Sequence, residues 1–244
     1  MRHSASLNLL LLIGLLGFTT QPLAADSIVF YLEDEPIYTS SNLQSPGFLL
    51  ELSTALMNLI GIKPEIKFLP WKRAQLTTTK TPNAVIFPLT RTSSREAHYQ
   101  WVCKVFDVPV MFINKTGDPV INSIKDAKGI RGIGVISGTP QEEYLKQEGL
   151  SYISVSGGKL YKKLAQGEFN AIYTAKPEAL LAWKQGNYNN KLQFGEPLQT
   201  LPLWIAANKT SPLVDRKQWE SALQATKNNG IFDRLKSKYF ATEP

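Results

Sequence analysis

Residues Ala84–Trp101, AVIFPLTRTSSREAHYQW, decide how the rest of the chain is read. The β-branched and aromatic run from Ala84 to Pro88, bounded by Asn83, predicts a buried strand. Thr90 to Ser94 predict a polar turn, and Arg95-Glu96 after the hydroxyls predicts the opening of a short helix. The product is a ledge of hydroxyls, backbone N–H groups and one guanidinium just past a strand's carboxyl end. A guanidinium grips a carboxylate at two points and a helix start adds a positive field, so this ledge suits a small acid. A solvated arginine on a surface turn fits the same letters, and the flanking sequence has to separate the two readings.

With 244 residues the chain has room for one large domain or two lobes with ample core. Hydrophobic residues at 43% against 19% charged ones fit a globular protein. Arg2 and His3 precede the apolar run Leu7–Phe18, and Leu23-Ala24-Ala25 follows. That order predicts a secretory leader over residues 1–25, cleaved after Ala24 or Ala25, and hence an exported, periplasmic protein. The formal charge of +7 becomes +6 once Arg2 leaves with the leader. Its basic residues are scattered rather than interleaved with aromatics, which argues against a nucleic-acid partner. Cys103 is the single cysteine, so no intramolecular disulfide is available; within the apolar run Trp101–Phe106 it reads as a buried small hydrophobe. His98 is the one histidine beyond the leader, which leaves little for a histidine metal site or a Cys–His pair. No cofactor and no metal are expected.

Along the chain, strands and helices alternate. Strands are predicted at Ser27–Tyr31, Ile62–Leu69 and Ala84–Pro88, with helices at Phe48–Ile60, stopped by Gly61, and Trp71–Lys80. A second rhythm follows Phe106–Asn114. Ile130–Ile136 is a strand, and Thr139, Pro140 and Glu142 form a capping box that opens a helix closed by Gly149. Tyr152–Val155, Lys159–Gln166, Phe169–Thr174 and Pro177–Lys184 continue as strand, helix, strand, helix. The chain then returns through Leu203–Ala207 to a final helix, Ile231–Phe240. The expectation is an α/β fold of two lobes, each a mixed sheet flanked by helices, joined by hinge strands at Val108–Ile113 and Leu203–Ala207. Residues 26–108 and 203–244 would form one lobe and 109–202 the other, with ligand in the cleft between them.

These residues resemble the bacterial extracellular solute-binding proteins of family 3, which have the type II periplasmic-binding fold. The resemblance spans about Ile28 to Phe240 and rests on four stretches in order. They are Gly47-Phe48-Leu49-Leu50-Glu51, Leu89-Thr90-Arg91-Thr92-Ser93-Ser94-Arg95, Gly134-Val135-Ile136-Ser137-Gly138-Thr139, and Asn229-Gly230-Ile231-Phe232 through Lys238-Tyr239-Phe240. It implies a non-catalytic monomer that hands a small amino acid or organic acid to an inner-membrane ABC permease. Arg95 would hold the ligand's carboxylate, assisted by Thr90 and by the helix start at Gly138-Thr139. Trp71 falls near the family's stacking aromatic, and an ordinary core anchor is the other reading of it.

One position departs from the pattern. Where the family's amino-acid binders carry an aspartate for the α-ammonium, this chain has Ala175. A methyl cannot balance a charge leaving water. Either the ligand lacks that ammonium, or a carboxylate of the loop Glu33-Asp34-Glu35 supplies the charge; Glu33 and Asp34 are the first candidates, with Glu178 behind them because it lies three residues into a helix. The missing aspartate by itself favours an anion. Two other functions stay open: a lyase or dehydratase on the same scaffold, and a soluble sensor component.

Overall fold

A computed structural model describes residues 27–240; the leader expected at 1–25 lies outside them. Elements alternate as the periodicity predicts: β1 Val29–Leu32, α1 Phe48–Ile60, β2 Glu65–Phe68, α2 Trp71–Lys80, β3 Ala84–Thr90, a 3₁₀ turn Ser93–Arg95 and β4 Tyr99–Lys115. Then come α3 Ile124–Ala127, β5 Ile133–Ile136, α4 Pro140–Gln147, β6 Tyr152–Val155, α5 Gly157–Ala165, β7 Ala171–Ala175 and α6 Lys176–Gln185. The chain ends through β8 Leu192–Phe194, β9 Gln199–Asn208, α7 Arg216–Asn228 and α8 Ile231–Phe240.

The strands run in the order β2-β1-β3-β9-β4-β7-β5-β6, with β8 on β4. β1 pairs in parallel with β2 and β3, and β5 does so with β6 and β7, as short crossovers through helices require. The antiparallel strands β4 and β9 weld these two parallel groups. They pair from Tyr99 opposite Asn208 to Val110 opposite Gln199, and β4 then pairs with β7 from Val110 opposite Ala175. The two sheets of the sequence reading therefore meet as halves of one pairing path.

β4 is longer than the sequence run from Phe106 suggests, because Tyr99–Val105 also finds β9 as partner. Pro109 sits inside it, opposite Thr200, where the strand changes neighbours. β3 likewise runs past Pro88: its register with β9 shifts between Ile86 and Leu89, so the missing proline N–H falls at an irregularity. α7 packs on α1 and β4, and α8 packs on α1 and α7. Tyr239 of α8 donates to Glu51 Oε1 at 2.6 Å, and its hydroxyl in turn accepts the Gly47 N–H at 3.2 Å. Trp219, Phe30, Phe48 and Phe87 are fully buried in the core beneath these helices.

Candidate functional site

The 3₁₀ turn carries Arg95 into the protein, where the side chain is 7% exposed. Its Nη1 donates to the Thr90 carbonyl at 3.0 Å, and Nη2 donates to both Gln75 Oε1 and the Gly138 carbonyl, each at 3.0 Å. The surface-turn reading of Arg95 is thereby set aside. Burial lowers the guanidinium's pKa, and the charge opposing that is Glu143. Gly138 belongs to the turn after β5, so Arg95 ties that turn to β3 and α2. Gln75 Nε2 reaches the same carbonyl at 3.4 Å.

Thr139 caps α4 as the sequence predicts, its Oγ1 accepting from the Glu142 N–H at 3.4 Å and donating to the Ile136 carbonyl at 2.7 Å. The reciprocal half of the box is displaced by one residue. Glu142 Oε2 takes the Gly138 N–H at 2.6 Å instead of that of Thr139. Gly138 has φ +78°, a conformation that suits glycine and turns its N–H toward Glu142 and its carbonyl toward Arg95.

Arg95, Thr90, Thr139 and Trp71 line one cavity. Val108, Leu201 and Leu203, from the stretch where β4 and β9 cross the sheet, form part of its wall. Gly138 lies on the far side of Arg95, in a second cleft with Lys72, Gln75 and His98. Trp71 faces the cavity and also packs against the cluster of Val29, Tyr31 and Ala74.

The other end of the cavity is acidic. Glu33, Glu35 and Glu178 line it together with Tyr38 and Thr39. The loop after β1 is closed by a two-way bridge, Glu35 N–H to Thr39 O at 2.7 Å and Thr39 N–H to Glu35 O at 2.8 Å. That turn sends the first and third members of the triplet inward and Asp34 outward, where its carboxylate holds Ser41 at 2.7 Å through Oγ. Glu178, which the sequence reading placed behind Glu33 and Asp34, also lines the cavity. It occupies the third position of α6, after Lys176 and Pro177, so its carboxylate folds back toward the N–H of Ala175 and accepts from Thr174 Oγ1 at 2.8 Å. A carboxylate is thus delivered beside the position where the expected aspartate is missing. Pro177-Glu178 at a helix start was the signal for it.

Desolvation raises all three carboxyls above their ordinary range. Glu35 is pushed well up, by burial first and then by Glu178 and Glu33; for Glu33, the Trp71 N–H opposes burial. Cys103 is buried, its thiol pushed up to about 12 by desolvation, which suits the inert role read from the sequence. Among the described residues no group of three or more His, Cys, Asp and Glu could hold a metal ion, and no helix is long and apolar enough to cross a membrane.

No protein-family model and no curated protein matches the chain. Solved structures do. The arginine-, lysine-, histidine-binding protein of Geobacillus stearothermophilus shares 23% identity at a TM-score of 0.76, over 89% of this chain and 96% of that one. The GluR0 ligand-binding core of Nostoc punctiforme, in complex with L-glutamate, shares 21% at 0.76, over 87% and 99%. An ancestral amino-acid-binding protein, a precursor of cyclohexadienyl dehydratase, shares 18% at 0.73, over 88% and 95%. The chain therefore has the two-lobed α/β fold of periplasmic binding proteins, its cavity lined by residues from both parallel strand groups.

Proposed function

We propose that this chain is an exported solute-binding protein that captures a small carboxylate-bearing solute between two lobes and delivers it to an inner-membrane ABC permease. The lobes are residues 26–108 with 203–244, and 109–202, and β4 and β9 form the hinge. The packing of α7 and α8 on α1 supports that division, and the amino-acid-binding neighbours support the solute class. The observation that carries the reading is Arg95, a buried guanidinium on the wall of a cavity shared with the α4 start. Thr90 and Thr139 flank it, and Trp71 gives the solute an aromatic wall.

Both Nη2 hydrogens of Arg95 are committed to Gln75 and Gly138, so a solute carboxylate gains a two-point grip by taking over one of those places. Binding and the position of the Gly138 turn are then coupled. The test is calorimetry on Arg95→Lys with a solute identified by mass spectrometry of small molecules released on denaturation. Lysine keeps the charge but lacks the planar fork, so affinity should fall by about tenfold or more. Unchanged affinity removes Arg95 from the site.

A second reading, elimination chemistry on the same scaffold, draws on Glu35 and Glu178, whose raised pKa, the result of burial, lets a carboxyl keep a proton to donate as a general acid. Turnover of the released solute, followed by NMR, decides between the two.

A further inference from the structure

We infer that Gln75 is a positioning residue for solute capture: its side-chain amide holds the Gly138 carbonyl when a solute carboxylate claims that carbonyl's place on Arg95. The inference rests on the solute-binding reading and assigns a further residue to it. A guanidinium has two edges that can grip a carboxylate at two points, Nη1 with Nη2 and Nε with Nη2, so every two-point grip uses Nη2. Both Nη2 hydrogens of Arg95 are taken, one by Gln75 Oε1 and one by the Gly138 carbonyl, each at 3.0 Å. One of these two partners has to yield to the solute.

The two differ in what each has left. The Gly138 carbonyl has a second donor, Gln75 Nε2 at 3.4 Å, a long contact with room to tighten. Among the described residues, Gln75 Oε1 accepts from Arg95 alone. Leaving a half-buried polar group without a partner is costly, so the carbonyl, which keeps a donor, is the one released. Position agrees: Gly138 precedes Thr139, which lines the cavity, whereas Gln75 lines the second cleft behind Arg95. Gln75 is also braced for this role. The Tyr99 hydroxyl donates to its backbone carbonyl at 3.2 Å. Lys72, three residues earlier on the same face of α2, lays its stem against Gly138, where a Cβ would meet Lys72 Cγ at 2.9 Å. The Gly138 N–H stays with Glu142 Oε2 at 2.6 Å. An amide donates and accepts at once, so Gln75 keeps Arg95 aimed through Oε1 and retains the turn through Nε2.

The experiment equilibrates the purified protein and two variants with an equimolar mixture of hexanoate, adipate, L-glutamate, L-glutamine, L-lysine and L-arginine, then measures what ultrafiltration retains. Gln75→Met leaves the charge of Arg95 and frees one Nη2 hydrogen, but removes the donor to Gly138. Retention of each solute that the unaltered protein holds should fall tenfold or more. Gln75→Glu keeps an acceptor for Arg95 and lacks the donor, so retention should fall as far. Its melting temperature should be unchanged or higher, because the buried guanidinium gains a counter-charge, and this variant gives the result should Gln75→Met misfold. Hydrogen exchange adds a readout that a purely structural role would not move. With the best-retained of the six solutes in saturating excess, the Gly138 and Thr139 N–H groups should exchange faster in Gln75→Met than in the unaltered protein; before solute is added they should match. Retention in either variant at or above that of the unaltered protein makes Gln75 the partner that yields, which overturns the inference and leaves the solute-binding reading standing. A fall in retention with no solute-dependent change in exchange also overturns the inference. Retention of nothing by the unaltered protein overturns both.

Discussion

Gly138 and Gly47 both sit in the left-handed region, at φ +78° and +93°, yet they answer to different neighbours. A Cβ on Gly138 would meet Lys72 Cγ at 2.9 Å and Cε at 3.0 Å, and a lysine stem can swing aside. A Cβ on Gly47 would meet the Tyr38 carbonyl carbon at 2.5 Å and oxygen at 2.6 Å, and that backbone is fixed by its bonds to the first turn of α1. Gly138→Ala should therefore cost about 1–2 kcal/mol, the penalty of the backbone conformation alone, and weaken solute binding through the misplaced carbonyl. Gly47→Ala should cost clearly more. Urea unfolding of the two variants checks the order, and equal losses would mean that the Tyr38 backbone gives way. Arg95 belongs to the same scale. Its burial and three protein partners make it a tie between the Gly138 turn and β3, a role that uses the planar fork lysine lacks.

Among the elements, α2, α4 and α6 bring their first turns to the cavity. α4 opens with Thr139 as cap and Pro140 next, and Thr139→Ala should destabilise the fold by about 0.5–2 kcal/mol, the usual range for a lost cap. The same change removes the Oγ1 bond to the Ile136 carbonyl, so the turn loosens under Gly138 and affinity should fall in parallel. Denaturant titration with calorimetry reads both, and a loss of stability with unaltered binding would separate α4 from the site. These helices also mark what was legible in the sequence. α1, α2, α4 and the strands between them were readable because periodicity, Gly61, Thr139 and Pro140 are local signals. So was Arg95, whose spacing from the β3 run sets it past the strand's end. The place of Glu178 in the cavity was only partly legible: Pro177 marks the helix start, but α6 facing the loop after β1 is a long-range juxtaposition that no local pattern encodes. The inward turn of Glu35 and outward turn of Asp34 likewise depend on the Thr39 bridge, which pairs residues that no strand signal marks. β4 outran its sequence run for the same reason: β9 supplied a partner for residues with mixed polarity.

At the scale of the whole molecule, acid groups on opposite faces of the stability curve predict how pH acts on it. Tyr239 and Lys238 of α8 bond Glu51 of α1, and although burial works against ionisation these partners hold its carboxyl below the ordinary value of 4.5. Its contribution is present above 4.5 and is lost as pH falls through the depressed folded value. The cavity works in the other direction. Glu33, Glu35 and Glu178 face one another, Asp34, Tyr38 and Tyr161, and all three carboxyls lie above 4.5, chiefly through desolvation. Between 4.5 and those raised values the folded chain holds protons that the unfolded chain has released. Stability of the uncomplexed protein should therefore fall as pH rises through that window and level off above it. A solute whose ammonium group these carboxylates hold would reverse the sign, because they must be ionised to hold it, and its affinity should rise over the same window. Melting temperatures taken from pH 4.5 to about pH 8, with and without L-arginine, measure both slopes at once, since a solute bound only to the folded state raises its melting point. The free protein should lose melting temperature with rising pH while the solute-induced increment grows. Glu35→Gln should flatten both curves, since it removes the carboxyl most strongly displaced by its neighbours. A free protein that gains stability across the window, or an increment that does not change with pH, would detach the acidic end of the cavity from solute recognition.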